Sequence, residues 1–218
     1  MQTMDAKMFK NCTGLKFVDF HTLSSFGGFY CGYNMFYNCT KLEEVNFWDL
    51  HSITGSYATY YMFRGCTSLH TLRMQWLESI STSGCASMCY GCSGLGSLQL
   101  NSLRSIGASG CALMCYGCTS LSYISFDKLN SLDSSAFNQA FSGCTNIQNI
   151  YFPALKTTSF INGSNQFQNM LTGTGTSVTH KLHFPSNLQS KISTLTGYPV
   201  FGGTAGYVEC LFDLEATE

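Results

Sequence analysis

Charge is scarce in this 218-residue chain: charged residues make up 11% of it, against roughly a quarter in ordinary domains. Eleven Lys and Arg meet twelve Asp and Glu, the formal net charge is −1, and no basic cluster occurs. Composition therefore gives no electrostatic basis for binding nucleic acid or an anionic membrane. No apolar run approaches the ~18 residues of a spanning helix, so membrane insertion is not expected. The first twenty residues hold Asp5, Lys7, Lys10 and Asp19 and no long apolar core, unlike a secretory signal. G-x-S-x-G, H-E-x-x-H, Walker and dinucleotide motifs are missing. Asp and Glu are too scattered for a calcium loop or a glycosidase pair. Nothing here supports an enzyme or a cofactor.

Repetition is what the chain has. From Met8, Met35, Met62, Met88, Met114 and Ala140 the same pattern recurs, with starts 27, 27, 26, 26 and 26 residues apart. Each copy runs aromatic-or-Cys, two variable residues, Cys, two small polar residues, Leu or Ile, then x-x-aliphatic-x-(Phe/Met/Leu). A period in the 20s marks a solenoid, in which one coil cannot bury its apolar face alone. Functional residues are then sought on an extended surface and not in a pocket.

In the third copy Leu72-Arg73-Met74 alternates with period two, as a half-buried strand should. Leu15/Val18/Phe20, Leu42/Val45/Phe47, Leu95/Leu98/Leu100, Leu121/Ile124/Phe126 and Ile147/Ile150/Phe152 hold the same places. A second pair follows (Leu50/Ile53, Leu77/Ile80, Leu103/Ile106, Leu129/Leu132), predicting a bend or short extended piece on the return side. Around Met62-Phe63 and Met88-Cys89 a short helical or 3₁₀ turn is expected. Stacking at the strand spacing of about 4.8 Å gives a parallel sheet with like side chains in ladders. A degenerate seventh copy is expected near Gln166-Phe167, with a Gly/Thr-rich insert, Thr172 to Ser177, before a strand around Lys181 to Phe184. The solenoid is thus assigned to 1–195 and a C-terminal cap of one or two strands to 196–218. Coil one begins at Met8 with no polar cap ahead of it. That is expected of an excised piece of a longer protein whose secretion signal and earlier coils are missing.

Residues 140–153, AFSGCTNIQNIYFP, resemble the BspA-like class of leucine-rich repeats, whose coils carry Ala-Phe-x-x-Cys and then Leu-x-x-Ile-x-Ile/Leu-Pro. Copies 62–74 (MFRGCTSLHTLRM) and 114–126 (MCYGCTSLSYISF) match with Met for Ala and without the Pro. The expected fold is an α/β-type solenoid, mostly β. It is a right-handed leucine-rich-repeat superhelix with a parallel β-sheet on one face, six clear coils, a degenerate seventh and a C-terminal β cap. The resemblance implies a non-catalytic binding or adhesion module of a host-associated bacterium, at the cell surface or secreted. Its partner would be a protein or glycan of a host or neighbouring cell. A structural spacer with no ligand of its own is the alternative, and the oligomeric state is open.

Twelve cysteines invite a metal or redox reading. Cys85/Cys89/Cys92 and Cys111/Cys115/Cys118 have the C-x₃-C-x₂-C spacing of an iron–sulfur site, and C-x₂-C is also a zinc spacing. Alignment of the copies weighs against it. Cys12, Cys39, Cys66, Cys92, Cys118 and Cys144 form one column, whereas the Cys89/Cys115 column holds Phe9, Phe36, Phe63 and Phe141 elsewhere. Positions that exchange Cys for Phe are packing positions, so a structural ladder of mostly free thiols is expected. Bridges between neighbouring coils and a metal site remain the alternatives. His180 and His183, with no nearby carboxylate or Cys in sequence, are expected on the surface and not as a metal pair.

Outward strand positions differ from coil to coil: Phe17, Glu44, Thr71, Ser97, Tyr123, Asn149 in one column and Asp19, Asn46, Arg73, Gln99, Ser125, Tyr151 in another. Trp48 and Trp76, the only tryptophans, follow the strands of adjacent coils. Exposed aromatics beside Asp, Asn, Arg and Gln suit a protein hot spot or a sugar platform. The candidate binding set is Trp48, Trp76, Arg73, Tyr123, Tyr151, Glu44 and Asn46. The opposing expectation is that both tryptophans merely cover the coil edge.

Overall fold

The structure, a computed structural model, describes residues 6–161, 163 and 165–216. Each coil places a short strand where the alternation predicts it and a two-residue strand at the second aliphatic pair. Coil one gives β1 (Phe17–Phe20) and β2 (Ser25–Phe26), coil two β3 (Glu44–Phe47) and β4 (Ser52–Ile53). Coil three gives β5 (Thr71–Arg73) and β6 (Ser79–Ile80), coil four β7 (Ser97–Gln99) and β8 (Ser105–Ile106). β9 (Tyr123–Ser125), β10 (Ser131–Leu132), β11 (Asn149–Tyr151), β12 (His180–Pro185) and β13 (Val208–Leu214) complete the series. The result is a parallel β-solenoid of about seven turns with little helix, the one α-helix among the described residues being Gln189–Ile192.

Pairing is parallel and in register. Val18, Val45, Leu72 and Leu98 face one another along β1-β3-β5-β7, and Ile124, Ile150, Leu182 and Cys210 do so along β9-β11-β12-β13. On the return side Phe26, Ile53, Ile80, Ile106 and Leu132 form a second ladder. The core between the ladders is made of like on like. Phe9, Phe36 and Phe63 stack at 5.2 and 5.4 Å with rings within 4° of parallel. Phe126, Phe152, Phe184 and Phe212 stack at 5.4, 5.4 and 5.9 Å. Each such buried side chain contributes roughly 1.5–3 kcal/mol, which no coil could collect without a neighbour.

The third side corrects the expectation of a helical or 3₁₀ turn. It is a run of interlocked turns in which alternate N–H groups leave the coil. Gly32, Asn34, Phe36 and Asn38 donate to the carbonyls of Ala58, Tyr60, Met62 and Arg64 in the next coil. The residues between them, Tyr33, Met35, Tyr37 and Cys39, donate three residues back. A helix would turn every N–H inward and leave the coils unpaired on this side. Every fourth residue has a positive φ, as at Tyr30, Asn34 and Asn38. The position just before the column cysteine, Asn11, Asn38, Gly65, Gly91, Gly117 and Gly143, is held only by the two residue types that best tolerate that conformation.

The same bonds fix the end of the solenoid. Phe141 donates to Met170 and Gly143 to Thr172, so Met170, not a residue near 167, is the counterpart of Ala140. Thr172-Gly173-Thr174 is then a regular turn segment, with Thr174 in the cysteine position, and not part of an insert. β13 continues the strand ladder in parallel beside β12.

Candidate functional site

Five of the seven candidates lie on β3, β5, β9 and β11, with Trp48 and Trp76 just past β3 and β5, and the structure gathers four of the seven into one network. Asn46 and Arg73 are aligned across β3 and β5, with Asp19 beside Asn46 on β1. Asn46 Nδ2 donates to Asp19 Oδ1 at 2.6 Å and to Glu44 Oε1 at 3.0 Å. Arg73 donates to Asn46 Oδ1 at 2.8 Å and pairs with Glu44. Trp48 Nε1 reaches Asp19 Oδ1 at 3.4 Å. Hydrogen bonding from Asn46, then from Arg73, holds the Glu44 carboxyl below the usual Glu value. Trp48 and Trp76 stay 42% and 51% exposed, and among the described residues neither stacks on another ring. Among the described residues Trp76 forms no hydrogen bond with the network. Asp19, which joins Trp48 to Asn46, is the member that the candidate set lacked.

Tyr123 and Tyr151 form a second group on the same face, their rings 5.4 Å apart. Tyr151 stacks at 4.0 Å on His183, whose Nδ1 lies 2.8 Å from Asp213 and whose Nε2 lies 3.0 Å from the Asn149 side chain. The surface placement expected for the histidines is thereby corrected: His180 and His183 are both buried. The carboxylate missing from the local sequence comes from β13, 30 residues on and parallel to β12.

Between the two groups the strand ladder parts. β7 and β9 are the edges of separate sheets, although the return ladder and the turn side run on past them. A cleft of about 370 Å³ opens there, lined by Gly96, Ser97, Gln99, Asn101, Tyr123 and Ser125. The parting falls where the inner column changes from Met74 and Leu100 to Phe126, a ring braced against Phe137 at 5.0 Å.

From coil two onward the column cysteines are buried and bond backward. The thiols of Cys39, Cys66, Cys92, Cys118 and Cys144 donate to the carbonyls of Phe9, Phe36, Phe63, Cys89 and Cys115 at 2.9–3.3 Å. Each thiol therefore fills a small volume and also ties its coil to the one before. Burial pushes the Cys39 thiol up to about 11 and Cys85 to about 12, and raises Cys66, Cys111, Cys118 and Cys144. All twelve cysteines are free, with Cys12 exposed. Among the described residues no group of three or more His, Cys, Asp or Glu is placed to hold a metal ion.

A second surface, missed in the sequence, lies on the turn side. The column two residues before the cysteines reads Lys10, Tyr37, Arg64, Tyr90, Tyr116. Lys10 Nζ sits 5.0 Å from the Tyr37 ring, and Arg64 sits 5.8, 4.6 and 5.1 Å from Tyr37, Tyr61 and Tyr90. Tyr90 stacks on Tyr116 at 4.5 Å, and Tyr30, Tyr33, Tyr57 and Tyr60 pack beside them. Aligning the variable positions of the turn segment would have exposed this column, as it did for the strand.

No curated protein matches this chain. The crystal structure of a leucine-rich repeat protein from Bacteroides ovatus is similar at 21% identity with a TM-score of 0.41, over 97% of this chain. The chain spans 58% of that protein. Residues 1–109, 59–173 and 114–191 match the BspA type leucine rich repeat region in six copies. The chain belongs to the BspA-type leucine-rich repeat family.

Proposed function

We propose that this chain is a non-catalytic binding module of a cell-surface or secreted protein, presenting its strand face to a protein or glycan of a host or neighbouring cell. Repeats of this family suggest a protein-interaction or structural role, and one observation favours interaction here. The half-exposed Trp48 is set in place by a hydrogen-bonded Asp19–Asn46–Glu44–Arg73 network. A side chain that only covered an edge would need no such polar positioning, whereas a preorganised aromatic with charged neighbours loses little entropy on binding. The thiol column serves packing and coil-to-coil bonding in this reading.

The test is a screen of glycans and extracellular-matrix proteins with the wild-type chain and with Trp48→Ala, Trp76→Ala and Tyr123→Ala. Loss of a ligand at unchanged melting temperature supports the site. A lower melting temperature with no ligand found for the wild type supports a spacer.

A further inference from the structure

The turn side is segregated in charge. Lys7, Lys10 and Arg64 lie on it, and segments 6–12, 28–38, 55–65, 82–92 and 108–118 contain no Asp or Glu. Among the described residues Arg64 forms no ion pair; its guanidinium is held only by the rings of Tyr37, Tyr61 and Tyr90. Tyr30/Tyr57, Tyr33/Tyr60 and Tyr90/Tyr116 are stacked from coil to coil at 22°, 13° and 8°. Their faces are spent on one another, which leaves edges and hydroxyls for solvent. Burial raises the Tyr60 phenol to about 12 and raises Tyr90 as well, so both remain protonated donors. Ring edges, phenol donors and an unpaired guanidinium all favour an anion.

The backbone narrows the partner. N–H groups on this side are already bonded, alternately to the next coil and three residues back within their own, so a peptide cannot add as a strand. Donors recur instead at each coil along the solenoid axis, over coils one to five. A linear polymer with regularly spaced charges and hydroxyls matches such a row.

We propose that the Lys10–Tyr37–Arg64–Tyr90–Tyr116 column binds a linear acidic polysaccharide of the uronate type, laid along the solenoid axis. Its carboxylates meet Arg64, Lys10 and Lys7, and its hydroxyls meet the tyrosine edges. This surface is separate from the strand face, and neither reading requires the other.

Polygalacturonate, neutral dextran and polyglutamate are the probes, measured by interferometry on the whole chain at low and at physiological salt. Polygalacturonate binds and weakens with salt, dextran does not bind, and polyglutamate is at least about tenfold weaker. Arg64→Gln loses about tenfold or more in affinity, as expected for a charge-assisted bond, while Arg64→Lys retains most of it. Tyr90→Phe keeps the stack and removes one hydroxyl; it loses affinity severalfold and carries the test if Arg64→Gln unfolds. Arg104→Gln, at an exposed cation just before β8 on the return side, changes nothing. No binding of polygalacturonate at low salt, equal binding of polyglutamate, or full affinity in folded Arg64→Gln overturns the proposal.

Discussion

Two glycines separate the conformational from the steric demands of the stack. Gly91 has a φ of +73°, and a Cβ added there meets no atom within 4 Å. Gly91→Ala therefore bears only the left-handed penalty of roughly 1–2 kcal/mol. The stiffer unfolded chain returns about 0.4–1 kcal/mol of it, for a net loss of about 1 kcal/mol. Gly91→Asn should lose less, since Asn38 already holds that column with a φ of 58°. Gly55 is the reverse case. A Cβ there would stand 2.2 Å from the Gly28 carbonyl oxygen and 2.7 Å from its carbon. Neither atom can rotate away, so coils one and two must part locally. That breaks the bonds from Thr54 and Gly55 to Phe26, both 3.0 Å, worth about 1 kcal/mol each, and loosens the Phe26–Ile53 contact. Gly55→Ala should lose at least about 3 kcal/mol. Because each coil contacts only its neighbours, the urea transition should also broaden or split. Urea midpoints and slopes for the three variants decide it. A greater loss for Gly91→Ala than for Gly55→Ala would refute the reasoning.

Alkaline pH should destabilise the fold. The unfolded chain releases thiol protons near the ordinary value of 9.0, the folded chain only near about 11 at Cys39 and about 12 at Cys85. The folded state thus holds more protons above pH 9, and stability falls as pH rises through that window. Urea midpoints flat from about pH 7 to about pH 8 and falling above about pH 9 are expected; a flat profile contradicts the buried thiols. Cys92→Ala removes one buried atom and a donor to Phe63, whose carbonyl keeps the Cys66 N–H, so it should cost about 1–2 kcal/mol. Cys92→Val should cost about 1–3 kcal/mol by overpacking; denaturant curves in which Val stabilises the chain would show a roomier column. Asp19→Ala removes the acceptor for Trp48 and Asn46 on an exposed face. It should shift Trp48 fluorescence while changing stability by about 0.5 kcal/mol or less; an unaltered spectrum would argue against the Asp19–Trp48 contact.

The strand side was legible because its signal is local. Val45-Asn46-Phe47 and its five counterparts alternate, and a period of 26–27 residues allows only one register in which the alternations coincide. The turn side was read as helical because Met62-Phe63 and Met88-Cys89 carry no period of their own. The informative residue was the Asn or Gly before each cysteine, whose meaning lies in a left-handed backbone and a bond to the next coil. The strand-face candidates met where stacking alone brings neighbours together, as with Asn46 and Arg73. His183 escaped because its partner Asp213 comes from an irregular coil, whose spacing the repeat could not supply. The parting of β7 from β9 likewise escaped, because the repeat pattern runs unbroken across it.

Amide hydrogen exchange of Asn38, Gly65, Gly91, Gly117 and Gly143 tests the stacking most directly. These N–H groups sit in turns at residues that ordinarily mark mobile loops, yet each donates to the next coil at 2.7–3.1 Å. Protection comparable to that of Val45 and Leu72 in the strands is predicted. Exchange at the rate of unstructured peptide at these five positions would contradict a solenoid bonded on all its sides.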